Sequence, residues 1–217
     1  MSASVLSSAL AGVDAFPVEV EVDISGGLPQ LKTVGLAEGA VREAQERVKA
    51  AIKNSGYEFP NRKITINLAP ADTRKEGSSF DLPIALAILA ANTGALNAER
   101  MRNYLNQGEL ALDGRIKGIR GALPSALLAR SKHYAGIILP RENAAEASVA
   151  SNGTAVLGVE TLRDTVDFLE GLREIEPCAS NVDDFVHRRQ PLRRRFQRSA
   201  RPRAGQAGAR SRRRRRP

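Results

Sequence analysis

The sequence predicts an α+β domain in which helices cover one side of a mixed sheet. Three observations lead to this prediction. The opening of the chain alternates apolar and polar residues, the second half alternates short apolar runs with helical patterns, and 42% of all residues are hydrophobic. Strands followed by helix–strand alternation are typical of a sheet covered by helices. Aromatic residues make up only 4%, so the core is expected to be aliphatic.

In the first half of the chain, apolar periodicity predicts strands and two helices. Val18, Val20, Val22 and Ile24 alternate with acidic residues, which indicates a strand with one buried face. A helical spacing of apolar residues ends at Gly56, which is a helix stop signal. The predicted elements are two strands within 3–25, a strand at 31–34, a helix at 37–54, a strand at 63–68 and a buried helix at 82–91.

The second half begins with a hairpin signal. Asp113 and Gly114 form a dipeptide that favours a two-residue hairpin turn, and Thr161 is a typical helix cap. The surface charges that flank the dipeptide are interpreted as those of a plain hairpin. The predicted elements are hairpin strands at 107–112 and 115–119, a helix at 122–132, a strand at 136–139, a helix at 142–149, a strand at 155–159 and a helix at 161–169.

Charge divides the chain into two parts. The whole chain carries a net charge of +9, but residues 185–217 hold 14 of the 33 basic residues, all of them arginine, and no acidic residue. The preceding residues keep 19 basic against 24 acidic side chains, a net charge of −5. We therefore predict a domain at 1–175, a linker at 176–184 and a disordered arginine-rich tail at 185–217.

The tail is the strongest electrostatic feature of the sequence. Arginine clusters bind phosphate backbones without sequence preference, mostly by counterion release, so binding weakens steeply with salt. Phe196 is the only aromatic residue in the tail after Phe185, so base stacking contributes little there. The predicted nucleic-acid-binding residues form two unbroken runs: Arg193, Arg194, Arg195, Arg212, Arg213, Arg214, Arg215 and Arg216.

Several kinds of site are not expected. One cysteine, Cys178, and two histidines, His133 and His187, exclude an internal disulfide and a Cys/His zinc cluster. No G-x-x-x-x-G-K-[ST] string occurs, so no Walker-type nucleotide site and no cofactor is predicted. No apolar run approaches the roughly 18 residues that a membrane span needs, and a cytoplasmic setting is expected.

The string KEGSSFD, residues 75–81, stands just before the buried helix and has two interpretations. Ser78 or Ser79 would serve as a nucleophile beside the helix dipole, with Lys75 as its base if burial lowers the pKa of that lysine. Alternatively, one serine simply caps the helix, which is the commoner use of a serine there. Asp72, Glu76 and Asp81 are not predicted to bind a metal ion, because the sequence does not show that their oxygens converge.

Five strings together resemble the magnesium-chelatase-like AAA+ ATPases, the family that contains the ComM (YifB) competence proteins. The resemblance extends from about Val5 to Leu169. The strings are VEVDISGGLPQ at 20–30, VGLAEGAVREAQERVKAAIKNSGYEFP at 34–60, RKITINLAPADTRKEGSSFDLPIALAIL at 62–89, GELALDGRIKGIRGALP at 108–124 and LPRENAAEA at 139–147.

The resemblance implies that this chain is the N-terminal, Lon-protease-like domain only, with the ribosomal protein S5 domain 2-like fold. By that resemblance Ser79 takes the position of the Lon nucleophile, whereas the position of the Lon catalytic lysine holds Leu123. It therefore implies no peptidase chemistry. The family resemblance also implies a hexameric DNA helicase that promotes branch migration in natural transformation, with ATP and magnesium bound only by its AAA+ module.

The chain departs from the family after Asp184 and Phe185, where the arginine-rich segment stands in place of the AAA+ module. We hypothesise a shift of reading frame in a GC-rich gene, which translation of the other two frames tests. Three functions remain open: a truncated, non-catalytic ComM-like protein, a non-specific nucleic-acid-binding protein acting through its tail, and a Lon-type serine peptidase in which Lys75 serves Ser79.

Overall fold

A computed structural model describes residues 1–35, 39–73, 75 and 77–179, without the side chains of 40–42. Within them, no helix is long and apolar enough to cross a membrane. The strands are β1 Ser2–Ala11, β2 Asp14–Ser25, β3 Gln30–Val34, β4 Lys63–Ala69, β5 Tyr104–Asn106, β6 Glu109–Leu110, β7 Ile116–Lys117, β8 Gly136–Pro140 and β9 Ala155–Val159. The helices are α1 Gly39–Asn54, α2 Asp81–Thr93, α3 Ala98–Asn103, α4 Ala122–Ser131, α5 Arg141–Ser151 and α6 Leu162–Glu170.

A four-stranded mixed sheet forms the first part of the domain. Its order is β1-β2-β4-β3, and β3 runs parallel to β4 while the other neighbours are antiparallel. Apolar residues at every second position bury one face, as the period of a half-buried strand requires. Helices α1 and α2 contribute to the same core as these side chains. The predicted α+β class with a mixed sheet is confirmed.

A second, three-stranded parallel sheet has the order β5-β8-β9. Helices α4 and α5 pack on each other and contribute to a separate apolar cluster with this sheet. The hairpin around Asp113 and Gly114 is present, but its ladder covers only β6 and β7. Helix α3 and strand β5 were not predicted, although Asn97 caps α3 by accepting from the backbone N–H groups of Glu99 and Arg100.

Side-chain amides join the two sheets. Strand β1 lies at the end of the first sheet, so one of its edges has no neighbouring strand in the described residues. The amide of Asn106 donates to the Leu6 carbonyl at 3.3 Å, and that of Gln107 donates to the Ser8 carbonyl at 3.0 Å. These two bonds take the place of ladder bonds and bring the end of β1 beside the segment that follows β5.

Candidate functional site

A cleft of about 730 Å³ opens where the end of β1, the loop before α2 and the segment around the β6–β7 hairpin meet. Most of its walls are small residues, which leave the volume open, and Arg120 and Glu109 are its charged members. The residues that line it are Ser8, Ala9, Leu10, Ala11, Gly12, Thr73, Gly77, Ser78, Ser79, Gln107, Glu109, Gly118, Ile119 and Arg120.

The two serines of the KEGSSFD string lie in this cleft in different settings. The hydroxyl of Ser78 donates to the carboxylate of Glu109, which also lies 3.8 Å from the ammonium of Lys117. The backbone carbonyl of Ser79 accepts from the N–H of Gly108 at 2.9 Å. Its hydroxyl makes no hydrogen bond to any described residue. Ser79 is therefore held in place by its backbone, with a half-buried side chain at the cleft.

Neither serine caps α2, so the capping interpretation is wrong. The N-cap residue is Phe80, in the αR conformation, and no side chain bonds to the helix start. Backbone carbonyls take the place of a side-chain cap. The N–H of Asp81 donates to the Ser78 carbonyl at 3.1 Å, and the N–H of Leu82 donates to the Gly108 carbonyl at 3.0 Å. Pro83 has no N–H to satisfy. The helix start is thus bound to the neighbouring backbone, and these donors do not face an oxyanion.

Lys75 is fully buried and lies away from the cleft lining. Its ammonium donates to the carbonyl of Gly35 at 3.2 Å and to that of Pro70. Burial lowers the pKa of this lysine, opposed in part by the charge of Asp72. The structure therefore brings Lys75 to two backbone carbonyls and does not bring it to Ser79. The Lys75–Ser79 pair that the peptidase interpretation requires is not formed.

Leu123 is the second residue of α4 and is half-buried against the second apolar cluster. The segment just before it, Gly118 to Arg120, lines the cleft that holds Ser79. Among the described residues, no lysine lines that cleft. Arg120 is the cation there, but a guanidinium stays protonated in proteins and does not act as a base.

A buried ion pair fixes the start of α2. The guanidinium of Arg47 donates twice to the carboxylate of Asp81, at 2.8 and 3.1 Å, and the N–H of Leu110 donates to the same carboxylate at 3.2 Å. Burial raises the pKa of Asp81, although the bonds from Arg47 oppose this effect. The carboxylate of Asp81 thus joins α1, α2 and β6, and its oxygens are already occupied by donors.

The predicted nucleic-acid-binding arginines of the tail lie outside the described residues, as do the tail and most of the predicted linker. Sequence reasoning interpreted Glu109 as a surface charge of a plain hairpin and did not single out Arg120. The sequence does show where both residues stand, since Glu109 precedes the hairpin turn and Arg120 follows the hairpin. What the sequence lacked was the contact between the hairpin segment and the serine loop, which only the tertiary fold supplies.

The fold and this cleft define an α+β domain that presents two serines in a cleft where, among the described residues, no lysine belongs to the lining. The family model described as subunit ChlI of Mg-chelatase matches residues 20–143. This chain therefore belongs to the Mg-chelatase ChlI-like family, and the predicted family is confirmed.

Curated relatives are similar over most of this chain. It is 48% identical over 181 residues to the uncharacterized protein YifB of Salmonella typhimurium, covering 83% of this chain and 35% of that protein. Over 180 residues it is 43% identical to the competence protein ComM of Haemophilus influenzae, with the same coverage. The YifB of Escherichia coli is 48% identical over 177 residues, which is 81% of this chain and 34% of the relative. The chain thus spans about a third of the length of these relatives.

Proposed function

We propose that this chain is the non-catalytic Lon-like module, of S5 domain 2-like fold, of a ComM-type protein. In the longer relatives such a module would pack subunits or guide DNA in a hexameric AAA+ helicase that promotes branch migration during natural transformation. The observation that supports the proposal is the cleft, where Ser79 lies without a lysine among the described lining residues. A Lon-type serine needs that lysine as its base.

ATP and magnesium belong, in this proposal, to the AAA+ module and not to this domain. The described residues do not fit a nucleotide phosphate at the start of α2, which is the usual kind of anion site. The backbone donors of Asp81 and Leu82 are already bound to carbonyls. The ammonium of Lys75 is bound to carbonyls as well.

Two assays on the purified full chain test this proposal. We expect no ATP hydrolysis above buffer and no cleavage of an unstructured protein such as casein. The Ser79→Ala variant is the matched control, because it removes only the candidate nucleophile. ATP turnover by the chain, or cleavage that Ser79→Ala abolishes, would contradict the proposal.

A second candidate function is non-specific nucleic-acid binding through the tail. It is favoured by the 14 arginines and the absence of acidic residues at 185–217. Replacing all 14 arginines of residues 185–217 by glutamine gives a tail-neutral full chain. If the tail is responsible, this chain loses most of the salt-sensitive binding of the parent. Undiminished binding in the tail-neutral chain would exclude the tail as the main site.

A further inference from the structure

A second concave surface shares no lining residue with the cleft that holds Ser79. A groove of about 410 Å³ runs between helix α1, strand β3 and the loop that leads into β4. Its charged lining consists of Lys49, Lys53, Arg62 and Glu46. We propose that this groove, called here the basic groove, binds the phosphate backbone of single-stranded nucleic acid. The inference rests on the DNA partner of the proposed function and names where the folded domain contacts it.

The basic groove concentrates positive charge in a domain that is otherwise acidic. Lys49 and Lys53 are one helical turn apart on α1, so their ammonium groups project from the same face, and Arg62 approaches from the loop. All three side chains are exposed. In the described part of the chain, none of them forms an ion pair with a carboxylate. They are therefore available to replace counterions on a phosphate chain.

An aromatic side chain and a strand edge complete the basic groove. Phe59 lines it and is half-buried, with the ammonium of Lys49 at 6.0 Å from its ring centroid. Strand β3 is the edge strand of the sheet. The N–H of Gln30 donates to the carbonyl of Arg62, just before β4, so the backbone groups of the next residue, Leu31, point to the open edge. A base-stacking ring beside cations is typical of surfaces that bind single strands. A duplex keeps its base faces stacked and would not use Phe59.

The opposite face of the same sheet carries charges of both signs. Glu19, Glu21 and Asp23 line a surface there together with Arg102, Thr65 and Asn67. The basic groove instead holds three cations against the single carboxylate of Glu46. This difference favours phosphate at the basic groove, even though the net charge of the sequence before the tail is negative.

Charge-neutralising variants of the full chain test the basic groove. The groove variant carries Lys49→Gln, Lys53→Gln and Arg62→Gln. The matched control carries Lys32→Gln, Lys132→Gln and Arg102→Gln, which removes the same charge from exposed positions outside the groove. Each triple is also made in the tail-neutral chain, because the arginine tail is expected to bind nucleic acid by itself.

The readout is the fluorescence anisotropy of a dye-labelled oligo-dT as a function of salt. Each lost phosphate contact lowers the slope of log K against log salt by about 0.7 on single strands, so the groove triple is expected to lower it by about 2. The control triple should change it by less than half as much. In the unaltered chain, ultraviolet crosslinking of the oligonucleotide should label the peptide that carries Phe59, and this readout does not depend on how the variants fold.

Equal effects of the two triples, or crosslinks in the folded domain that avoid Phe59, would overturn the groove proposal. In that case the proposed function would stand as long as the chain turns over neither protein nor ATP. Conversely, turnover of ATP or casein by the chain would overturn the proposed function, and that function would then not explain the binding data. The two failures are therefore distinguishable.

Discussion

The side chain of Lys75, including its ammonium group, is fully buried. The ammonium is held by the carbonyls of Gly35 and Pro70, and not by a carboxylate. A buried cation of this kind costs stability, which is the reason that burial lowers its pKa. The sequence showed a lysine beside two serines and suggested a base. The structure shows a side chain that joins the end of β3 to the loop after β4.

The stability of the protein should record this buried lysine as a dependence on pH. Between the lowered pKa of folded Lys75 and the ordinary 10.5, the unfolded chain keeps a proton that the folded chain has released. The free energy of unfolding therefore increases with pH across that window. Urea denaturation of the parent and of Lys75→Met from pH 7 to about 10 should show the parent gaining relative to the variant as pH rises.

The control for this prediction is Lys132→Met, which removes one exposed lysine just after α4. It corrects for the general effect of one lost positive charge. A difference between parent and Lys75→Met that stays flat, or that falls with increasing pH, would show that burial does not lower the pKa of Lys75.

Asp81 gives a second prediction at this scale. Removing its carboxylate in Asp81→Ala leaves the guanidinium of Arg47 and the N–H of Leu110 without their acceptor. Loss of one partner of a buried ion pair costs about 3–5 kcal/mol, and we expect the lower end because Arg47 is partly exposed. The measurement is the free energy of unfolding in urea. Glu160→Ala, which breaks an exposed pair with Arg141, is the control and should change little.

Among the elements, two helices begin in different ways. Helix α6 has a capping box, in which the Thr161 hydroxyl accepts from the N–H of Asp164 at 3.1 Å and the Asp164 carboxylate accepts from Thr161. Helix α2 has no side-chain cap and uses the carbonyls of Ser78 and Gly108. The sequence predicted the first cap correctly, because Thr161 and Asp164 are neighbours in the chain. It could not predict the second, because Gly108 reaches α2 only in the tertiary fold.

A pair of substitutions tests this difference between the helices. Thr161→Ala should lower the free energy of unfolding by about 1 kcal/mol, the usual cost of a lost N-cap. Ser79→Ala should leave it nearly unchanged, since its hydroxyl bonds to no described residue. Chemical denaturation of both variants gives the comparison. A loss of similar size in Ser79→Ala would restore the capping interpretation.

At the scale of the whole molecule, local patterns predicted most of the described elements. Strand β9 was predicted with its observed bounds, and α1, β4, α2 and α4 within about two residues, because each has a clear period and a stop signal. Helix α3 and strand β5 are too short to show a period. The division into two sheets and the meeting of the serine loop with the 107–120 segment depend on contacts between distant residues, which no local pattern contains.

The proposed function depends most on Ser79, which lies in a cleft that no lysine among the described residues lines and so lacks a base that would make it a nucleophile. The most direct measurement is a time course of casein degradation by the full chain and by its Ser79→Ala variant at equal concentration. We predict that both traces coincide with buffer alone. Degradation by the parent chain that Ser79→Ala abolishes would contradict the claim and would identify this domain as a serine peptidase.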